Sequence, residues 1–280
     1  VDNPELYFQT KLYTGNGGTQ SITLDGSENM QPDWVWIKSR NNSGVNGNHF
    51  VQDSVRGATK SIITNITAAE FTQTNMVTSF DSDGFSLGNE DEFNRSGTTF
   101  VSWNWKAGGS ASSNSNGSIT STVSANTTSG FSVGTYTGNG SAGATVGHGL
   151  GVTPKCFIVK RRNTAAQWNV YHESLGNTGA MYLNDNGTFN TVTGFWNNTS
   201  PNSNTFTLGT DAAGNGSSDT YVFYAFADTG NKFFKAGSYT GNGQAGTSSP
   251  FVYLGFKPAF LIIKNTADTH GWSMTDNKRN

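Results

Sequence analysis

Two segments of this chain have the spacing that cradles a dinucleotide pyrophosphate, Gly138-Asn-Gly-Ser-Ala-Gly143 and Gly241-Asn-Gly-Gln-Ala-Gly246. That chemistry needs a strand before the glycines and a helix N-terminus after them. Strand-rich sequence follows here instead, so both segments read as turns or loops. Gly84-Phe-Ser-Leu-Gly88 and Gly130-Phe-Ser-Val-Gly134 have the spacing of a serine nucleophile elbow. They lie in alternating strand patterns, without the sharp strand-to-helix turn that exposes such a serine. Asp81-Ser-Asp83 followed by Glu92 is a partial calcium loop, with Phe85 and Ser86 where a ligand and a glycine are required. His49, His148, His172 and His270 have no metal-ligand spacing, and Glu90-Asp-Glu92 reads as a solvated loop. A polysaccharide depolymerase would need two carboxylates across a cleft, and no acidic pair recurs. The residues therefore nominate no catalytic group, no cofactor site and no metal ligand, and the chain reads as non-enzymatic.

Aromatic side chains are the other candidates. Trp34, Trp36, Trp103 and Trp105 could stack on a sugar, but their strand alternation places them in a core. Trp196 lies in the polar stretch Gly194-Phe-Trp-Asn-Asn-Thr-Ser-Pro201 and is expected to be exposed. With Asn197 and Asn198 it offers a ring and two amides, the components of a glycan contact.

The elements that must position these residues come in copies. Tyr-Thr-Gly-Asn-Gly occurs at Tyr13–Gly17, Tyr136–Gly140 and Tyr239–Gly243, five residues after Phe8, Phe131 and Phe234. A proline-initiated apolar run follows each copy: Pro32–Lys38, Pro154–Lys160 and Pro258–Lys264. Trp168 and Trp272 stand eight residues beyond the last two lysines, with His172 and Asp276 four residues further on. His49 and Asp53 have the same separation, after a turn lengthened by three residues between Asn41 and Asn48. Such fixed spacings mark a duplicated structural unit. Residues 1–109 and 110–235 form two full copies, the second opening with a Gly/Ser/Asn linker over 108–118. Residues 236–280 form the beginning of a third.

Val101, Trp103 and Trp105 alternate with Ser102, Asn104 and Lys106, which are expected on an opposite, polar face. The proline-initiated runs are apolar on both faces, as suits a central strand covered on both sides. Thr67-Ala-Ala-Glu70 has capping-box spacing and is the one expected helical turn. The pattern predicts an all-β chain of tandem β-sandwich repeats, jelly-roll or lectin-like, with very little helix. The third copy lacks a second half, so Phe251–Leu254 and Phe260–Ile263 would present open strand edges. Either residues after Asn280 or a neighbouring subunit's strand is expected to complete it. A start at Val1 without methionine reads as a fragment or processed product.

Composition narrows the partners. The net charge is −2 with 13% charged residues, which offers no basic patch for nucleic acid. No stretch has transmembrane length, so no membrane insertion is expected. Cys156, the single cysteine, sits in an apolar run as a small hydrophobe.

Several segments together resemble a known family. They are Tyr13-Thr-Gly-Asn-Gly17, Pro32-Asp-Trp-Val-Trp-Ile-Lys-Ser-Arg40, Asp53-Ser-Val-Arg-Gly57, Ser79–Gly88 and Trp103-Asn-Trp-Lys-Ala-Gly108 in the first copy. His148–Pro154 and Val170-Tyr-His-Glu-Ser-Leu-Gly176 join them in the second, and Trp272–Arg279 in the third. This set resembles a domain-of-unknown-function family of tailed-phage repeat proteins, marine phages and cyanophages above all, described as structural or tail-fibre-like. The resemblance implies a bacteriophage virion structural protein: a tail fibre, appendage or capsid-surface component at the virion surface. It implies other virion proteins and further copies of the chain as partners, fibres being commonly trimeric. Host attachment by carbohydrate binding, with a host surface glycan as ligand, is the alternative role. The family carries no catalytic residues to transfer.

Overall fold

The computed structural model describes residues 3–41, 44–231 and 233–279. The chain ends at residues 1 and 280 and the middle of the lengthened turn lie outside them. The first unit comprises β1 (Phe8–Thr14), β2 (Gln20–Thr23), β3 (Trp34–Ser39), β4 (His49–Asp53), β5 (Lys60–Ile63), β6 (Phe71–Thr72), β7 (Val77–Asp81), β8 (Gly84–Leu87), a one-turn helix α1 (Asp91–Asn94) and β9 (Thr99–Trp105). The second comprises β10 (Ser112–Asn114), β11 (Ser121–Asn126), β12 (Phe131–Thr137), β13 (Ala144–Gly147), β14 (Cys156–Arg161), β15 (Trp168–His172), β16 (Gly176–Tyr182), β17 (Thr205–Leu208), α2 (Ala212–Asn215) and β18 (Thr220–Phe226). β19 (Phe260–Ile263) and β20 (Ser273–Asp276) follow as a separate hairpin.

Each full unit is a sandwich of a large and a small antiparallel sheet. The first stacks β1-β9-β3-β4-β5-β6 on β2-β8-β7, and the second stacks β10-β11-β12-β18-β14-β15-β16 on β13-β17. Val35, Ile37 and Phe100 meet Ile22, Phe85 and Leu87 inside the first. Phe157, Val159 and Phe223 meet Val146, Phe206 and Leu208 inside the second. The proline-initiated runs become β3 and β14, interior strands paired on both sides, as their two apolar faces require.

Pairing registers coincide between aligned strands. β1 meets β9 with Phe8 opposite Trp105, and β12 meets β18 with Phe131 opposite Phe226. Trp34, Cys156 and Phe260 sit opposite Asp53, His172 and Asp276 respectively.

The outer faces of the two large sheets are not solvated. Trp34, Trp36, Val101 and Trp103 from the first pack with Phe131, Val133, Ile158, Trp168 and Tyr224 from the second. Half-buried Phe260, Ile262, Trp272 and Met274 of the hairpin join the same cluster. A third apolar layer thus binds the units into one body.

Three local expectations are corrected by this packing. The residues alternating with Trp103 do not face water: Ser102 and Asn104 are fully buried, and the Asn104 amide donates to the Gln9 carbonyl and Ser102 Oγ. Residues 67–70 form no helical turn, because they stretch across to the second unit. There Glu70 N donates to Arg162 O, and Thr67 O accepts from Ala166 N. The one-turn helices lie instead at α1 and α2. Within the 108–118 linker, Ser112–Asn114 becomes β10 and extends the large sheet by pairing with β11.

The Tyr-Thr-Gly-Asn-Gly turn is clamped by these short helices. Tyr13 Oη donates to Phe93 O at 2.9 Å, and Tyr136 Oη donates to Gly214 O at 2.6 Å. A Cβ on Gly15 would lie 2.3 Å from Arg95 O, and one on Gly138 would lie 2.5 Å from Gly216 O, so only glycine fits. The Asn94 amide donates to Gly18 O and Gly88 O and accepts from Asn16 N. Asn215 does the same with Ser141 O, Gly209 O and Asn139 N. In the third copy no α-helix among the described residues meets the turn: the Asn242 amide donates only to Ser248 O of a short 3-10 turn, Tyr239 is 53% exposed and nothing lies within 4 Å of a Cβ on Gly241.

Asn94→Ala and Asn215→Ala each strand several buried backbone groups and are expected to lower the unfolding free energy by about 2–3 kcal/mol. Asn242→Ala, at the equivalent but exposed turn, is expected to change it by less than about 0.5 kcal/mol. Urea denaturation of the three variants measures both.

Candidate functional site

The chain's most elaborate chemistry lies on the outer faces of the large sheets, where units meet. β4 ends at Asp53, and the turn after it brings Arg56 back onto the same carboxylate. Arg56 N donates to Asp53 Oδ1 at 2.8 Å, and the guanidinium pairs with Oδ2, with both side chains fully buried. β18 of the second unit supplies Tyr224, whose Oη donates to Asp53 Oδ2 at 2.8 Å. Its ring stacks on Trp34 at 4.4 Å. Glu70 completes the set by accepting from Arg56 at 3.0 Å and from Arg162 of the second unit at 2.9 Å. Burial opposes the Glu70 charge, but the Arg162 hydrogen bonds and the Arg56 charge outweigh it and hold the carboxyl below its usual range. Burial likewise opposes the Arg56 cation, and Asp53, Tyr224 and Glu70 together raise its pKa all the same.

A second seam repeats this construction with other partners. Trp103 on β9 corresponds in register to Tyr224 on β18. Its Nε1 donates to Asp276 Oδ2 at 3.0 Å, across to the hairpin. Arg279 folds back on Asp276 as Arg56 does on Asp53, and its guanidinium lies 4.8 Å from the Trp103 ring centre. Phe260, the counterpart of Trp34, meets Trp103 edge-on at 5.7 Å. His49 lies parallel to the Trp103 ring at 6.4 Å and accepts from Trp36 Nε1 at 3.1 Å. Burial, then Lys38 and Arg279, push the His49 pKa down to about 3.

A third seam, where the hairpin faces both full units, holds a cavity of about 530 Å³, with Phe8, Trp34 and Trp105 on its first-unit side. Cys156, Ile158 and Val170 line its second-unit wall, and Phe260, Ile262 and Trp272 its hairpin wall. The half-buried Cys156 thiol is pushed up to about 12 by burial, which leaves it a poor nucleophile. This volume is in the range of small-ligand pockets, about 300–1,000 Å³, and the lining is mostly apolar.

The sequence-nominated residues fall elsewhere. Trp196 is not an exposed contact: its ring is 1% exposed, Nε1 donates to Gly179 O at 2.9 Å, and Phe157 meets it at 4.9 Å. The polar loop folds over the sandwich mouth and drives the indole inward, leaving Asn197 and Asn198 exposed at φ 50° and 48°. Trp34, Trp36 and Trp103 are buried core. Asp81, Asp83 and Glu92 do not converge, for each accepts from a different protein donor: Ser86 Oγ, Met30 N and Asn46 N. Among the described residues no group of three or more His, Cys, Asp or Glu side chains could hold a metal ion. Lys160 is fully buried, and burial lowers its pKa to about 8, a range suited to proton transfer. Its ammonium is nonetheless spent on Thr67 O and Ala166 O beside the Trp168 ring, with no opening to a substrate.

Sequence reasoning missed the seams. Their signal is Asp-x-x-Arg, at Asp53–Arg56 and Asp276–Arg279, each aspartate lying opposite the head of the proline-initiated strand.

The model of a family described as "Domain of unknown function (DUF7483)" matches residues 3–280, and the chain belongs to that family. No curated protein and no solved structure matches it.

Tyr224→Phe removes the hydroxyl that spans the first seam and is expected to cost about 1–3 kcal/mol, because Asp53 and Arg56 stay buried with one partner fewer. Chemical denaturation measures it. His49 adds a pH dependence. Its folded value of about 3 lies below the usual 6.5, so its contribution is intact above pH 6.5 and is lost as the pH falls toward 3. Melting temperatures of the native chain should decline across that window, and His49→Gln should flatten the decline.

Proposed function

We propose that this chain is a non-enzymatic structural module of a bacteriophage virion surface, part of a tail fibre, an appendage or the capsid exterior. One observation carries the reading. The groups most able to do chemistry, Asp53, Arg56, Glu70, Trp103, Tyr224, Asp276 and Arg279, are consumed in bonds that lock units to one another. A catalyst keeps such groups facing a substrate; a rigid scaffold spends them on its own joints. The likeness of its motifs to tailed-phage repeat proteins supports the location. Further support comes from a surface rich in Gly, Asn, Ser and Thr over a continuous β core, which suits a particle component in water.

Quantitative mass spectrometry of gradient-purified virions of the phage encoding this chain tests the proposal. A fixed copy number per particle is the expected result, and absence from the particles refutes it.

A second reading, recognition of a host surface glycan, draws on Asn197 and Asn198. They are consecutive, exposed and held in left-handed backbone, a conformation that costs energy in non-glycine residues. Without the Trp196 ring the contact would consist of amides alone. A glycan array probed with the native chain and with Asn197→Gly/Asn198→Gly separates the two: specific binding lost in the variant favours recognition.

A further inference from the structure

The free edge of β19 and the cavity beside it form, we infer, an acceptor site for one more β-strand, carrying the residue pattern of β9 and β18. The molecule twice shows what covers this edge. β3 pairs with β4 on one side and β9 on the other; β14 pairs with β15 on one side and β18 on the other. β19 pairs with β20, the counterpart of β4 and β15, and with no other strand among the described residues. Its residues are half-buried or exposed, Leu261 being 37% exposed, where those of β3 and β14 are mostly buried.

The seams specify what the incoming strand must carry. β9 reads Thr-Phe-Val-Ser-Trp-Asn-Trp and β18 reads Thr-Tyr-Val-Phe-Tyr-Ala-Phe. Both have the form Thr-aromatic-Val-x-aromatic-x-aromatic. In each, the final aromatic sits opposite the head of the proline-initiated strand: Trp105 faces Trp34, and Phe226 faces Cys156. In each, the middle aromatic leaves its own unit. Tyr224 of the second reaches Asp53 and Trp34 of the first, and Trp103 of the first reaches Asp276 and Phe260 of the hairpin. The second unit thus enters the first, and the first enters the third.

Closing that cycle requires an aromatic on the strand beside β19 to enter the second unit, against the counterparts of Trp34, Asp53 and Arg56. Those counterparts are Cys156, His172 and Leu175. Cys156 lines the cavity, together with Ile158 across from Ile262. By the shared register the middle aromatic of the incoming strand sits opposite Ile262 and its last aromatic opposite Phe260. An antiparallel polypeptide strand therefore satisfies the β19 edge through its backbone and the cavity through its side chains, as strand-addition complexes do. This inference goes beyond the virion role and does not rest on it.

The test uses the whole chain and a dye-labelled synthetic peptide with the sequence of Thr220–Phe226 between lysine pairs. A second peptide has serine in place of its middle tyrosine, and a third has the same residues scrambled. Saturable one-to-one binding, slowed amide exchange at Phe260–Ile263, and affinity lowered at least about tenfold by the serine or the scrambling are expected. Equal affinity of all three peptides, no binding of the first, or protection confined to other strands would overturn the inference. So would concentration-dependent self-association that protects Phe260–Ile263 without peptide, since a second copy would then be the occupant.

Discussion

Burial of both faces of the two large sheets is the constraint on which everything else depends. A sheet with one apolar face needs one cover, and the small sheets provide it. Here the outer faces carry Trp34, Trp36, Trp103, Phe131, Trp168 and Tyr224, so each unit must be covered again by another. Rings of this size bring polar atoms into the layer with them, and a buried N–H or O–H without a partner costs about 1–3 kcal/mol. Asp53 and Asp276 meet that demand from Tyr224 and Trp103, and Arg56 and Arg279 offset the carboxylates in turn. The salt bridges follow from the aromatic layer, and the layer follows from the doubly apolar strands.

Much of this was legible in the sequence. Strict alternation and proline-initiated runs identified the strands, and runs apolar on both faces identified β3 and β14 as central. The glycine-rich motif was correctly read as a turn, though its reason lay in contacts distant in sequence: Asn94 and Asn215 reach back 78 and 76 residues to clamp it. Trp196 was misread because the polarity of its neighbours describes the loop and not the side the loop folds toward. Ser102 and Asn104 look like a solvent face and are buried, since hydrogen bonds to backbone let polar side chains line a covered surface. The seams escaped notice because pairing between units leaves no periodic trace within either one.

The third copy isolates what the missing contacts do. It has the same opening motif, the same proline-initiated strand and the same Asp-x-x-Arg. Yet Tyr239 is exposed, and Phe251 and Tyr253 are 88% and 80% exposed, in segments without strand structure. The motif is therefore not intrinsically a docked turn. In the two full units a one-turn helix docks it, and the apolar strand there is central because it is paired on both sides.

The seam bonds also set a timetable for synthesis. Tyr224 and Asp53 are 171 residues apart, and Trp103 and Asp276 are 173 apart. At about 5–20 residues per second, a ribosome takes roughly ten to thirty seconds to cover such an interval. The first sandwich can close its inner core within that time, but its tryptophan-rich outer face has nothing to cover it until the second emerges. During translation the nascent chain thus carries a broad sticky surface, and its yield in a cell is set by how well that surface is shielded in the meantime.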